Sequence, residues 1–298
     1  MPRFGISIYG LSRKIRSKEL TPIEAFEKIC KMGAETVELV PFGFNLVNEP
    51  ELRKPFKEAS KEMGVPIGNY SLNANFLMLT PEKYEAEIER VKKHIDMVAD
   101  MEIPTIRIDS AAFSRPMSEN TMEKFQEELP LIVETYERLC DYAKERGLVV
   151  LLENHGFHAN GSERVRQILT SVKRDNFFHQ LDVGNYTCVD DIPEIAVKKM
   201  LPFARTIHMK DFYIRPAHRN PGGAEEFACE NSWFNSVNGT YLRGSILGQG
   251  DIDIWEVMRT LKKGGYDGDI YLEYEGMEEC EYGTALSFAN MKRIYGEV

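Results

Sequence analysis

The sequence predicts an α/β protein folded as a (β/α)8 TIM barrel. Short apolar runs rich in β-branched residues alternate with longer amphipathic segments eight times from end to end, the pattern of strand-then-helix units. No strand-strand hairpin signal interrupts them. The stretch Val149 to Gly156 carries the third observation: Val149, Val150, Leu151 and Leu152 run directly into Glu153, Asn154, His155 and Gly156. Such a run reads as a strand buried on both faces whose polar residues emerge at the C-terminal mouth, where barrels keep their active sites. An open dinucleotide-binding sheet would want a G-x-G-x-x-G turn after an early strand, and none is present.

The units follow in order along the chain. Phe4–Ile8 is the first strand. Thr21 is the N-cap of the first helix, with Pro22 at its first position and Glu24 completing a capping box, and Gly33 ends it. Thr36–Val40 is the second strand, and a helix from Glu51 to Met63 is closed by Gly64. Ile67–Leu72 is the third strand, and Thr80 caps a helix running to Met101. Thr105–Asp109 is the fourth strand. The helical pattern from Ser118 to Arg146 contains Pro130, which predicts a kink or a break, and Gly147 ends it. Val149–Asn154 is strand five, followed by a helix over Gly161–Lys173. His179–Val183 is strand six, with a helix over Ile192–Met200, and Arg205–Met209 is strand seven. A long connection, 212–250, precedes the helix Ile252–Lys263, strand eight at Asp269–Tyr274 and a last helix over Tyr282–Tyr295. At that length the connection is expected to be functional, covering the mouth and shaping substrate choice.

Composition narrows the function classes. The 298 residues carry a formal charge of -10 with both signs interspersed, which argues against a basic nucleic-acid or membrane-binding face. No linker-like stretch divides the chain, so residues 1–298 read as one domain. The five cysteines, Cys30, Cys140, Cys188, Cys229 and Cys280, are scattered without C-x-x-C spacing, so reduced thiols in a cytoplasmic protein are expected. No signal-peptide core or membrane-length apolar run is visible.

Four strand ends carry residues of metal-ligand type: Glu153, Asp182, His208 and Glu273. Strands five to eight adjoin around half of a barrel mouth, so these groups converge there, and three carboxylates beside one imidazole call for a dication. An oxygen-rich set with a single histidine favours Mn²⁺ or Mg²⁺, with Zn²⁺, Co²⁺ or Fe²⁺ also accommodated, and the lack of sulfur argues against structural zinc. At strand eight, spacing alone leaves Glu273 and Glu275 both open as the ligand. His155, beside a ligand at the mouth, is the candidate acid/base, with a structural hydrogen-bonding role as its alternative. His158 is a candidate substrate contact or a solvated loop residue. Lys210 could steady a developing enolate or simply pair with Asp211. His94 is expected on a helix surface, and His179 in the core or at the rim.

These residues resemble the sugar phosphate isomerase/epimerase superfamily, the xylose isomerase-like TIM barrels that include the 3-epimerases, inosose dehydratase and endonuclease IV-type repair enzymes. The motifs are Glu153-Asn154-His155-Gly156, Asp182-Val183-Gly184-Asn185, His208-Met209-Lys210-Asp211, and the Gly265-Tyr266-Asp267-Gly268 turn leading to Glu273. The resemblance implies a divalent metal, Mn²⁺ first, held by Glu153, Asp182, His208 and Glu273, and it prefers Glu273 over Glu275. In the epimerases the two metal-binding glutamates also exchange the substrate proton, which would give Glu153 and Glu273 that double role. This chain departs from them in having His155, Asn185 in place of a histidine, and the long connection with Arg215, Trp233, Tyr241 and Arg243. His158, Asn185, Arg215, Trp233 and Arg243 are accordingly expected to contact substrate. A similar Glu-x-His pattern belongs to the large subunits of C-glycoside deglycosidases, which act on 3-keto C-glycosides.

The resulting expectation is a metal-dependent sugar or keto-sugar isomerase or epimerase that abstracts a proton next to a carbonyl through an enediolate. A lyase of the deglycosidase or inosose dehydratase type is the alternative. An endonuclease IV-like enzyme ranks lower, because the acidic chain has six histidines in all and no evident basic face. The expected partner is a small-molecule sugar, with no nucleic acid and no membrane; a homo-oligomer and a complex with a small partner subunit both stay open.

Overall fold

The computed structural model describes residues 1–111, 115–222 and 232–298. Eight parallel strands close into a barrel in sequence order: β1 (Arg3–Ser7), β2 (Thr36–Leu39), β3 (Ile67–Leu72), β4 (Thr105–Ile108), β5 (Val149–Glu153), β6 (Phe177–Asp182), β7 (Ala204–Met209) and β11 (Asp269–Leu272), which returns to pair with β1. Helices α2 (Pro22–Lys31), α3 (Arg53–Met63), α4 (Pro81–Asp100), α5 (Met122–Lys144), α6 (Ser162–Ser171), α7 (Pro193–Met200), α8 (Ile254–Lys263) and α9 (Cys280–Glu297) pack outside it. The expected capping box is formed: Glu24 N–H donates to Thr21 Oγ1 at 3.2 Å and Thr21 N–H to Glu24 Oε2 at 2.8 Å. Gly64 and Gly147 adopt φ of 65° and 71° where helices hand over to strands, a conformation that costs other residues free energy.

Several expectations are corrected. A short helix, α1 (Ser12–Arg16), follows β1 after a 3₁₀ turn. Pro130 does not split its helix: α5 is continuous, and it starts at Met122 because the Thr121 hydroxyl accepts Lys124 N–H. His94 is buried rather than superficial, because α4 turns it inward on the same stripe as Val91, Ile95 and Val98. Of the two places expected for His179, core or rim, it takes the core, with Nδ1 2.8 Å from the Leu152 carbonyl oxygen. The long connection contains a three-stranded antiparallel sheet of β8 (Asp211–Arg215), β10 (Tyr241–Ser245) and β9 (Phe234–Asn235), in the order β8-β10-β9. Asn238-Gly239 turns β9 into β10, with Gly239 at φ 87°. Cys229 lies outside the described residues; the other four cysteines are buried free thiols. No described helix is long and apolar enough to cross a membrane.

The barrel interior carries a set of buried polar side chains. Alternation along each strand turns Glu38, Asn69, Ser71, Thr105, Arg107, Gln180 and His208 into the barrel, all buried. They form a connected network: Asn69 Nδ2 donates to Glu38 Oε2 and to Gln180 Oε1, both at 2.7 Å, while Thr105 Oγ1 donates to Asn69 Oδ1 at 2.6 Å. Satisfied hydrogen bonding makes such burial tolerable, and it fixes the floor on which the mouth residues stand.

Candidate metal centre and active site

Glu153, Asp182 and His208 end or nearly end β5, β6 and β7, and Glu273 follows β11 directly, so four adjoining strands deliver four donors to one point. One ligand atom from each lies within 4.8 Å of the others, and all four residues are buried. His208 is oriented by the network beneath it: Nε2 stands 2.8 and 2.9 Å from the two Glu38 oxygens, while Nδ1 faces Glu153 at 3.0 Å and Asp182 and Glu273 at 3.6 Å. A carboxylate behind the imidazole orients the ring and leaves Nδ1 facing the three carboxylates, the atom through which it could reach a cation. Asp182 Oδ2 is buried and receives no hydrogen bond in good geometry. Its other oxygen accepts Asn185 N–H at 2.7 Å. A hard divalent cation fits this donor set.

The electrostatics point the same way. Burial pushes the Glu273 carboxyl up, but the Lys210 and His208 charges outweigh it and hold it well below the usual range. Burial dominates at Asp182, which is raised. The surplus of buried carboxylates raises His208 and Lys210 well above their ordinary values against the cost of desolvation. Both cationic side chains of the site are thus held by surplus negative charge, which a dication would meet in the same place. Lys210 Nζ contacts Asp182 at 3.0 Å, Glu275 at 2.9 Å and Glu273. It is therefore part of the centre. Asp211 instead accepts backbone N–H groups of Phe212, Gly248 and Gly250 at 2.8 to 2.9 Å, and of Ile252 at 3.3 Å, tying the two ends of the inserted sheet together.

The centre opens into a cavity of about 460 Å³ lined by Arg107, Glu153, His155, Asn185, Glu273 and Glu275 among others. Asp109, directly after β4, holds His155: Nδ1 lies 3.0 Å from Asp109 Oδ2. Arg107 bridges the carboxylates, 2.6 Å from Asp109 and 3.1 Å from Glu153. Burial lowers the His155 imidazole, and Asp109 and Glu153 more than offset this and raise it.

Four expected substrate contacts do not line the cavity. His158 is buried behind it, 2.8 Å from Glu128 and edge-on to Phe125, and burial together with Arg115 pushes its imidazole down to about 4. Arg215, Trp233 and Arg243 pack on one another outside: Arg243 lies 4.9 Å over Tyr213 and 5.2 Å over Trp233, and Arg215 pairs with Asp251 at 2.6 Å. Cation–π stacking inside the inserted sheet occupies these side chains. The insertion reaches the cavity through Phe212 and Phe234 instead. Glu38, Arg107 and Asp109 do not stand out in the sequence as site residues; the signal that marks them is a charged residue at an alternate position in an apolar strand.

The xylose isomerase-like TIM barrel family model matches residues 26–293. This chain belongs to that family. An inosose dehydratase of Geobacillus thermodenitrificans (strain NG80-2) is 23% identical over 233 residues, 76% of this chain and 74% of that protein. Among solved structures, the 3-keto-D-glucoside 4-epimerase of E. coli matches with a TM-score of 0.70 at 15% identity, covering 98% of this chain and 100% of that one. A xylose isomerase-like TIM barrel protein from Mycobacterium smegmatis in complex with magnesium matches with a TM-score of 0.70 at 14% identity, covering 100% and 97%. At these identities the structural likenesses establish the fold.

Proposed function

We propose that this protein is a divalent-metal-dependent isomerase or epimerase of a sugar or keto-sugar, working by proton abstraction next to a carbonyl through an enediolate. One observation carries the reading: the donors of Glu153, Asp182, His208 and Glu273 converge within 4.8 Å at the floor of a cavity that Glu153, Glu273 and His155 also line. The oxygen-rich set with one imidazole suits Mn²⁺ first, with Mg²⁺, Co²⁺ or Zn²⁺ as alternatives. When bound, the dication supplies Lewis-acid polarisation of the substrate's oxygens and lowers the cost of the enediolate. Glu153 and Glu273 reach the cavity from separate strands, so the two carboxylates can take and return a proton from different sides of one carbon. Lys210 places an ammonium beside Glu275 and Asp182, where it offsets developing negative charge. A small molecule suits this cavity better than nucleic acid, because Glu153, Glu273 and Glu275 outnumber its one arginine, Arg107.

A lyase reading of the deglycosidase or dehydratase type draws on a specific contact, the Asp109–His155 pair. Asp109 fixes Nδ1 as the protonated ring nitrogen, so the basic lone pair sits on Nε2 and the imidazole can serve as a single general base. Solvent-deuterium exchange into keto-sugars by the manganese-loaded protein tests both readings. Metal-dependent exchange is expected. A loss of about 10² to 10⁴-fold in His155→Gln would assign the proton to His155, and a wild-type rate would assign it to the glutamate pair. Absence of exchange into every keto-sugar tried would overturn both readings.

A further inference from the structure

A second group of ligand-type side chains adjoins the metal centre. Asp109, Glu153 and His155 each bring one donor atom within 4.8 Å of the others, and Glu153 belongs to both groups. Its two oxygens have different neighbours. Oε1 lies 3.0 Å from His208 Nδ1, inside the metal centre, while Oε2 lies 3.1 Å from Arg107 Nε. Asp109 is divided in the same way: Oδ1 lies 2.6 Å from Arg107 Nη1, and Oδ2 lies 3.0 Å from His155 Nδ1. A carboxylate with one oxygen towards each of two cationic positions is placed as the bridging ligand of a two-metal site would be.

The guanidinium of Arg107 stands in the second of these positions. Arg107 and Asp109 are both buried, and an arginine side chain keeps its charge at every pH a protein survives. Arg107 Nε and Asp109 Oδ1 make no hydrogen bond in good geometry. Charge, more than directed hydrogen bonding, therefore holds the guanidinium between the two carboxylates, and charge is what a metal ion would supply there equally well. Arg107, Glu153 and His155 line the cavity, so an ion could reach the place from solvent. It would meet a fixed positive charge on arrival.

We infer that Arg107 is a built-in cation filling what would otherwise be a second metal position, formed by Asp109, Glu153 and His155, a role that rests on the metal-dependent reading above. It limits the centre to a single dication and keeps His155 off the metal. An imidazole that ligates an ion has spent its lone pair and cannot take a proton, so the exclusion preserves His155 for acid/base work. Equilibrium dialysis against Mn²⁺ followed by metal analysis counts the ions per chain, and electron paramagnetic resonance separates an isolated Mn²⁺ from a magnetically coupled pair. The wild type is expected to hold one ion with the isolated signal. Arg107→Ala and Arg107→Met, which remove the charge without and with most of the side-chain volume, are each expected to hold two ions with the coupled signal. Adding Asp109→Asn to Arg107→Ala should return the count to one, because it weakens a ligand of the second position and none of the first. Removing one partner of a buried ion pair is strongly destabilising, but a dication replaces the lost charge, so both variants are expected to fold when prepared in Mn²⁺. Two ions in the wild type, one ion in the folded variants, two ions without magnetic coupling, or failure of both variants to fold in Mn²⁺ overturns the inference. One ion in the wild type and in both variants overturns it alone, whereas no ion in the wild type overturns the metal-dependent reading as well.

Discussion

Replacing Glu38 by glutamine isolates the support beneath the metal centre from the centre itself. Glu38 is fully buried beneath the cavity, and both of its oxygens lie within 2.9 Å of His208 Nε2. Asn69 and Ser71 also donate to it, at 2.7 and 2.8 Å. Glutamine keeps the shape and one acceptor but loses the charge. The imidazole is then a weaker donor to a cation, and its ring is held less firmly towards Glu153. Carboxylates in this position are commonly worth about 10 to 100-fold in metal affinity, or roughly 1.4 to 2.7 kcal/mol. Competition of the purified variant against a chromogenic chelator for Mn²⁺ measures the loss, and thermal unfolding of the metal-free protein checks that the barrel survives. A folded Glu38→Gln protein with wild-type Mn²⁺ affinity would refute the claim that the floor network orients His208 as a ligand.

Three further outcomes are expected. Asp109→Asn should lower kcat by up to about 10²-fold with little change in KM, since the amide fills the space but no longer fixes the His155 tautomer; steady-state kinetics at saturating metal would show it, and an unchanged kcat would remove Asp109 from the account. Asp211→Ala strips four backbone N–H groups of their acceptor and should cost about 2 to 3 kcal/mol in denaturant unfolding; a loss below about 0.5 kcal/mol would mean the inserted sheet is held by other contacts. His94, lowered from 6.5 to about 4 by burial and the nearby Arg90, makes stability pH-dependent. The unfolded chain binds its proton first, so the contribution of the neutral imidazole is complete above about pH 6.5. It is lost as pH falls towards the folded value, at most roughly 3 kcal/mol. His94→Gln should flatten the unfolding free energy between those limits, and an unchanged slope would contradict it.

The barrel is legible because its strands announce themselves twice, by apolar runs and by the polar residue that ends each run at the mouth. Glu153, Asp182 and His208 can be found that way because a charge seldom follows buried residues directly unless a partner or a ligand compensates it. Glu273 over Glu275 needs the resemblance, since both sit on one face of the same strand end. What stays hidden in the sequence lies inside elements. Glu38 and Arg107 sit mid-strand between apolar neighbours, and only the period of two marks them as facing into the barrel. His94 reads as a surface residue by its polarity, although Val91, Ile95 and Val98 place it on the buried stripe of α4, a case where helical spacing outweighs residue type. The inserted sheet is obscured because Asp211–Arg215 and Tyr241–Ser245 lack a long apolar run and its Asn238-Gly239 turn sits in a stretch that otherwise reads as loop. His158, Arg215, Trp233 and Arg243 look like binding residues by type, but Glu128, Asp251 and the Tyr213 and Trp233 rings engage the His158, Arg215 and Arg243 side chains where sequence offers no view of them.

Glu153, Asp182, His208 and Glu273 are expected to hold one divalent cation at the mouth of the barrel. Metal analysis of protein equilibrated with limiting Mn²⁺ and desalted, for the wild type and for Asp182→Ala, tests it most directly. One Mn²⁺ per wild-type chain is expected, and a weakening of about 10-fold or more in the variant, with the variant's fold preserved by circular dichroism. Full occupancy in a folded Asp182→Ala protein would contradict it.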